Sequence, residues 1–424
     1  MLTKFRKSLS SKVIQNVSWL GASELVSRIF RFGTTFVLAR TLESSEYGLM
    51  AILYVFLEFS QVFIWHGVTA KIIQADEKDL QEICNTAYWI NWAVCLLAFS
   101  IQCGIAYPVS QLYSSPQLFL PLCLAATTYL IVPFFLVKAS LLERAGRMKE
   151  VAFINAAQST TSNLMIIVLV MLGWGIWAIA TSISLSTLVW LVVNFRESSW
   201  SFPKKVTFDK WKEIAGYTQN IIGVQLLNKL RGNLDYLIIG KFLSVEKLGL
   251  YYFAFNAGSG ITMNVVNTFL WALFPHLCGL RQDPQQLKAE YFKNLKTIMS
   301  FVSGIVILQS SLSFFYVPWV FGNKWIPAIP ILILICLSVI PNSLKLIGSI
   351  LLNVDDKAHF TLFFDVIYTV VFTISLLLAV NLADANTATY WVAIAVLACN
   401  TVMGGLFSVW SAQKVFGRPV LGKP

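Results

Sequence analysis

Apolar runs of about twenty residues alternate with short polar breaks along the whole chain, and twelve such runs are traced. They lie near Val13–Ala39, Tyr47–Gly67, Ala87–Tyr107, Leu118–Val137, Val151–Leu172 and Gly175–Phe195. The second six lie near Tyr217–Phe242, Leu250–Phe274, Ile298–Trp319, Ile326–Leu352, Phe360–Val380 and Thr389–Trp410. A helix of about 20 residues crosses the hydrocarbon core of a bilayer, so each run is long enough to span it. A transmembrane β-barrel would instead show alternating segments of about ten residues. The pattern therefore predicts an all-α polytopic membrane protein with about twelve transmembrane helices in two six-helix bundles. Their expected limits are 1–195 and 217–424, joined by a linker at 196–216. The first and seventh runs are the weakest, because both contain charges. The first is too long and too charged in its middle for a cleavable signal.

Composition points the same way. Of 424 residues 57% are hydrophobic and only 12% charged, about half the charge of a soluble domain. That excludes a water-soluble enzyme, a disordered chain and a fibrous protein. The seven cysteines are scattered, with no CxxC pair, and read as small apolar residues. Cations are distributed unevenly between the two sides of the layout. Twenty-three Lys and Arg fall in alternate loops with the termini, and only Arg40, Lys241, Lys247 and Lys324 fall in the others. Basic loops stay cytoplasmic, so both termini are expected inside. The net charge of +11 is thus mostly a topology signal and an attraction for membrane lipids; no nucleic-acid motif accompanies it. In the linker, Trp200, Phe202, Val206, Phe208 and Trp211 interleave with Lys204, Lys205, Lys210 and Lys212. This reads either as a segment on the inner membrane surface or as a plain connection between halves.

The halves also resemble each other. An offset of 201 residues lays Leu42, Gly48 and Leu49 on Leu243, Gly249 and Leu250, Arg40 on Lys241, Arg28 on Lys229 and Glu24 on Gln225. Six spans per half make the repeat parallel, a pattern typical of transporters. Several coincident positions are polar, and a charge at mid-membrane costs about 2.5–3.5 kcal/mol on insertion scales, so such residues need a cavity or partners. Glu24, Arg28 and Arg31 share one face of the first helix; pairing Glu24 with Arg28 leaves Arg31 in excess. In the seventh helix a pairing of Arg231 with Asp235 leaves Lys229 in excess. Excess cations at matched places favour an anion-binding cavity; inter-helix salt bridges are the structural alternative. Glu58 stands mid-span without a cation in its own helix, as a silent protonated acid or an ion-coupling site. His66 reads as an interfacial residue. Lys345 and Asp365, at equal depth on adjacent helices, are expected to form a structural ion pair.

The stretch Trp19–Ala51, WLGASELVSRIFRFGTTFVLARTLESSEYGLMA, resembles the opening of bacterial polysaccharide-transport flippases. These belong to the multidrug/oligosaccharidyl-lipid/polysaccharide exporter superfamily. Its most specific part is LAR-TL-x4-YGL at Leu38–Leu49; Asn233–Gly258 and Phe321–Leu332 agree as well. The resemblance implies two bundles around a V-shaped, cation-lined cavity that opens to each side in turn. It implies a flippase for undecaprenyl-diphosphate-linked oligosaccharide in the bacterial inner membrane, serving O-antigen, capsule or exopolysaccharide assembly. Arg28, Arg31, Lys229 and Arg231 would then meet the lipid diphosphate. A polysaccharide polymerase and a chain-length regulator are the implied protein partners. The two extra carboxy-terminal spans of the lipid II flippase branch are missing, which argues against that subgroup.

Two other functions compete. A drug or solute exporter on the same scaffold would be expected to carry unpaired acids rather than excess bases. A membrane polysaccharide polymerase or ligase needs a sizeable outer loop with acid–base residues, whereas the outer loops here are short and hold no histidine. No metal-ligand spacing, phosphate-cradling glycine loop or nucleophile motif occurs. The expectation is therefore a transporter without catalytic residues, cofactor or metal.

Overall fold

A computed structural model describes the backbone of residues 2–65, 68–197, 200–203, 205–384 and 387–417. It describes their side chains except at 2–17, 65, 217, 220, 221 and 261. His66 and Lys204 lie outside the described residues. The described chain is all-helical. Its helices are α1 (Leu2–Thr41), α2 (Ser44–Trp65), α3 (Thr69–Gln74), α4 (Leu80–Leu112), α5 (Phe119–Ala126), α6 (Thr128–Ile131), α7 (Leu136–Arg144) and α8 (Met148–Met171). There follow α9 (Ile176–Glu197), α10 (Trp211–Phe242), α11 (Val245–Ala257), α12 (Ser259–Cys278), α13 (Pro284–Tyr316), α14 (Ile329–Val354), α15 (Ala358–Leu382) and α16 (Ala388–Phe416).

Among the described residues nine helical segments are long and apolar enough to cross a membrane. The bent pair α11–α12 makes a tenth. The chain is thus a multi-pass membrane protein, and the count falls short of twelve for a physical reason. The two expected spans outside the ten lie in α1 and α10, which form helices of 40 and 32 residues. Both carry the charges that weakened the first and seventh runs. The 201-residue offset maps the end of α1 at Thr41 onto the end of α10 at Phe242. It also maps the start of α2 at Ser44 onto the start of α11 at Val245.

Packing divides the chain into two compact units, Met1–Asn233 and Leu234–Pro424, so that α10 contributes to both. In the first unit α8 lies between α1 and α9, and α5 packs on α4 and α9. The expected fourth span is broken: α5, α6 and a tight turn at Val132–Phe134 replace one straight helix, with Pro121 and Pro133 inside it. Broken helices need their freed carbonyls satisfied in lipid. Gln102 of α4 does this, donating to the Leu122 carbonyl (2.9 Å) while accepting from the Tyr129 hydroxyl (2.7 Å). The second unit is built around α14, which touches α11, α12, α13, α15 and α16. Gly404 lets α16 approach it closely, since a Cβ there would stand 2.5 Å from the Pro341 carbonyl oxygen. The 46° bend between α11 and α12 falls near Gly258. There Gln309 of α13 donates to the carbonyls of Ala257 (2.7 Å) and Gly258 (3.0 Å).

The aromatic linker is fastened to the first unit. Phe202 packs among Tyr88, Phe134, Phe195 and Trp200. Lys138, one of the twenty-three cations counted in the loops on the side of the termini, is buried. It donates to the Trp200 carbonyl (2.7 Å), with its ammonium 4.8 Å from the Phe195 ring centroid. Trp89 donates to the Lys205 carbonyl (3.0 Å). A four-member ion network closes the end of the segment: Lys210 lies 3.3 Å from Asp79 and 3.4 Å from Glu213, and Lys71 lies 3.3 Å from Glu213. Trp200 and Phe202 therefore make ring contacts with the first unit, although Phe202 keeps over a third of its surface exposed. Val206, Phe208 and Trp211 stay exposed.

Candidate functional site: charges within the spans

The charged faces of α1 and α10 are the places where this sequence defies an apolar surround. On α1, Arg28 Nε donates to Glu24 Oε1 at 2.9 Å, the pairing one helical turn permits. Arg31, one turn further, is exposed. The face therefore holds two guanidinium groups and one carboxylate.

On α10 the pairing differs from the one that sequence spacing suggests. Asp235 is buried; it accepts from the Tyr251 hydroxyl (2.8 Å) and from the Tyr236 backbone N–H (2.9 Å), not from Arg231. Arg231 donates to Asn228 Oδ1 at 3.0 Å. The reason is geometric: α11 folds back against α10, and Tyr251 supplies a hydroxyl inside the second unit where a guanidinium would be costly to bury. Asp235 is thus a hydrogen-bonded core acid rather than half of a helical ion pair.

Lys229 is not in excess either. Its Nζ lies 3.0 Å from Glu58 Oε2 of α2, and Asn233 Nδ2 donates to the same oxygen at 3.2 Å. Asn233 is itself held by the Lys229 carbonyl, 2.9 Å away. Glu58 thus finds on α10 the cation that its own helix lacks. All three residues belong to the first unit. Both side chains of the ion pair are about two-fifths exposed, at 39% for Lys229 and 41% for Glu58. The pair is open to exchange with a solute ion, and in so exposed a setting the contact itself is weak. What this cluster can do is hand a lysine from one anion to another.

The second unit contains a pair of another kind. Lys345 Nζ on α14 stands 3.3 Å from Asp365 Oδ1 on α15, with side-chain exposures of 6% and 22%. The ammonium also sits 4.3 Å from the centroid of the Tyr368 ring, and the Tyr368 hydroxyl donates to Asn400 at 2.8 Å. This is a closed arrangement with a carboxylate, a ring and a hydrogen-bonded second layer. Sequence reading missed that layer, as it missed the glutamines that cap broken spans and the cage around Lys138. Their one signal was a lone polar residue within an apolar run.

Comparison with known proteins places these charges in context. Residues 37–330 match the family model described as polysaccharide biosynthesis protein. The teichuronic acid biosynthesis protein TuaB of Bacillus subtilis is 22% identical over 94% of this chain and 82% of its own. The lipopolysaccharide biosynthesis protein WzxC of Escherichia coli is 22% identical over 84% of this chain and 73% of its own. Among solved structures, the lipid II flippase MurJ in an inward closed conformation superposes with a TM-score of 0.73 at 12% identity. That match covers 94% of this chain and 88% of MurJ, so the two share a fold. With the family model spanning well over half of the chain, the protein belongs to the polysaccharide biosynthesis family whose model it matches.

Proposed function

We propose that the protein flips an undecaprenyl-diphosphate-linked oligosaccharide across the bacterial inner membrane, feeding O-antigen, capsule or exopolysaccharide assembly. It works by alternating access of two pseudo-symmetric six-helix halves, with both termini in the cytoplasm. The observation that carries this reading is the set of cations within the spans: Arg28 and Arg31 on α1, Lys229 and Arg231 on α10. A diphosphate is a dense anion, which arginine grips bidentately and lysine meets as a point charge. Membership of a polysaccharide biosynthesis family, with relatives named for lipopolysaccharide and teichuronic acid biosynthesis, supports a glycan as cargo, and the fold shared with the lipid II flippase MurJ supports a lipid-linked one. No covalent bond changes in this process, so the protein is a transporter rather than an enzyme. Lys229 meets the diphosphate by releasing Glu58, which makes Glu58 the residue through which an ion gradient can act.

The test is glycan export per unit of membrane protein. Arg28→Ala, Arg31→Ala and Lys229→Ala should each lower it while protein abundance stays near normal. A charge-assisted hydrogen bond of about 1.5–3 kcal/mol corresponds to a roughly ten- to hundredfold loss of affinity. Arg31→Lys should be milder than Arg31→Ala, because the charge survives the loss of the fork. Normal export per molecule in the triple alanine variant would refute the cationic mechanism.

A further inference from the structure

The face of α10 that presents Lys229 continues toward the start of the helix as the wall of an apolar groove. Ala215, Ile222 and Lys229 are spaced by seven residues, and Gln219, Leu226 and Asn233 form the neighbouring stripe, so all six share one side of the helix. Ala215 and Ile222 line a groove of about 550 Å³, whose opposite wall includes Val94 of α4 and whose rim includes Phe63, Phe208 and Trp211. These three rim side chains are exposed. At 1.5 Å per residue, Ile222 lies about 10 Å along the axis from Lys229. On α2, Phe63 follows Glu58 by five residues, so both helices lead from the groove to the Glu58–Lys229 pair.

We propose that this groove holds the hydrocarbon tail of a polyprenyl diphosphate whose headgroup binds at Lys229; the proposal rests on the function given above. A headgroup drawn to the middle of α10 must leave its tail in apolar surroundings. The groove supplies them along the same helix face, and its exposed rim gives the rest of the chain a lateral way out. A groove of about 550 Å³ that leads to one lysine suits a lipid with one tail and a compact anionic head, and a two-tailed phospholipid fits less well.

Farnesyl diphosphate and inorganic pyrophosphate, titrated into the purified full-length protein, separate tail from head. The wild type should bind farnesyl diphosphate about tenfold more tightly than pyrophosphate or better, the gain expected from burying only two methylenes. Ala215→Trp should abolish that preference and leave pyrophosphate binding unchanged; Ala215 is exposed, so the ring enters open space. Val94→Trp should do the same from the facing wall. Equal affinities in the wild type, a preference that survives both variants, or parallel loss of both probes would overturn the groove assignment alone. Failure of the wild type to bind pyrophosphate would sink the diphosphate site, and the tail assignment with it. Labelling of the groove by photoreactive phosphatidylglycerol as strong as by photoreactive farnesyl diphosphate would make it a general lipid site and refute the proposal.

Discussion

Lys229 and Lys345 each have a carboxylate beside them, and the two pairs differ in what surrounds them. Lys229 and Glu58 are half open, so each can be exchanged. Lys345 is closed in by Asp365 and Tyr368, so neither partner can be lost cheaply. Removing one member of a buried pair costs about 3–5 kcal/mol, because the other charge stays behind unpaired. Asp365→Asn should therefore lower folded yield sharply, measured as monodisperse protein after extraction. Replacing Lys345 and Asp365 together by neutral residues of similar size should restore most of it. A double variant as poor as the single one would count against a structural role. Asp235 is held differently: its buried carboxylate accepts two hydrogen bonds, from Tyr251 and from the Tyr236 backbone.

Between helices, the linker clasp is the element whose strength can be set by pH. Hydrogen bonds from Lys71 and Lys210 hold the Glu213 carboxyl below the ordinary carboxylate range, and Asp79 with Glu213 holds Lys210 above the ordinary lysine range. A depressed acid stabilises the clasped state above its ordinary value and loses that contribution as pH falls through the lowered one. A raised base contributes below its ordinary value and loses it as pH rises through the raised one. The clasp should thus be intact across neutral pH and loosen only under acid or strong alkali. Hydrogen exchange over residues 205–216 should rise as pH falls through the carboxylate range, after correction for intrinsic rates. Glu213→Gln should show the raised exchange already at neutral pH. An unchanged profile in that variant would show that the aromatic contacts of Phe202 hold the segment without the ions.

For the whole molecule the decisive quantity is sidedness. The 23-to-4 division of cations between alternate loops gives the expected orientation. Reporter fusions at Ser244 and Lys205 should fall on opposite sides, with Lys205 cytoplasmic. The stretch between them contains α10, the most polar of the expected spans after α1, so this pair of fusions asks whether α10 crosses. Both reporters on one side would remove the crossing, and the parallel repeat with it. The coincidence of helix ends at the 201-residue offset argues that α10 and α1 play equivalent parts in the two halves.

The sequence by itself determined the membrane class, the helical fold and the places where polar groups interrupt the apolar runs. Hydrophobic run length is a local property, and the cost of a charge in lipid marks each exception wherever it stands. It also determined the pair Glu24–Arg28, because four residues along a helix fix a distance without help from elsewhere. Partners from other helices were decided only by tertiary structure. Lys229 takes Glu58, 171 residues away, and Asp235 takes Tyr251, because packing brings α2 and α11 to α10. The docked linker, the buried Lys138 and the glutamines that complete broken spans belong to the same category. Each answers a polar group left exposed by a particular contact, and no periodicity along the chain records which contact that will be.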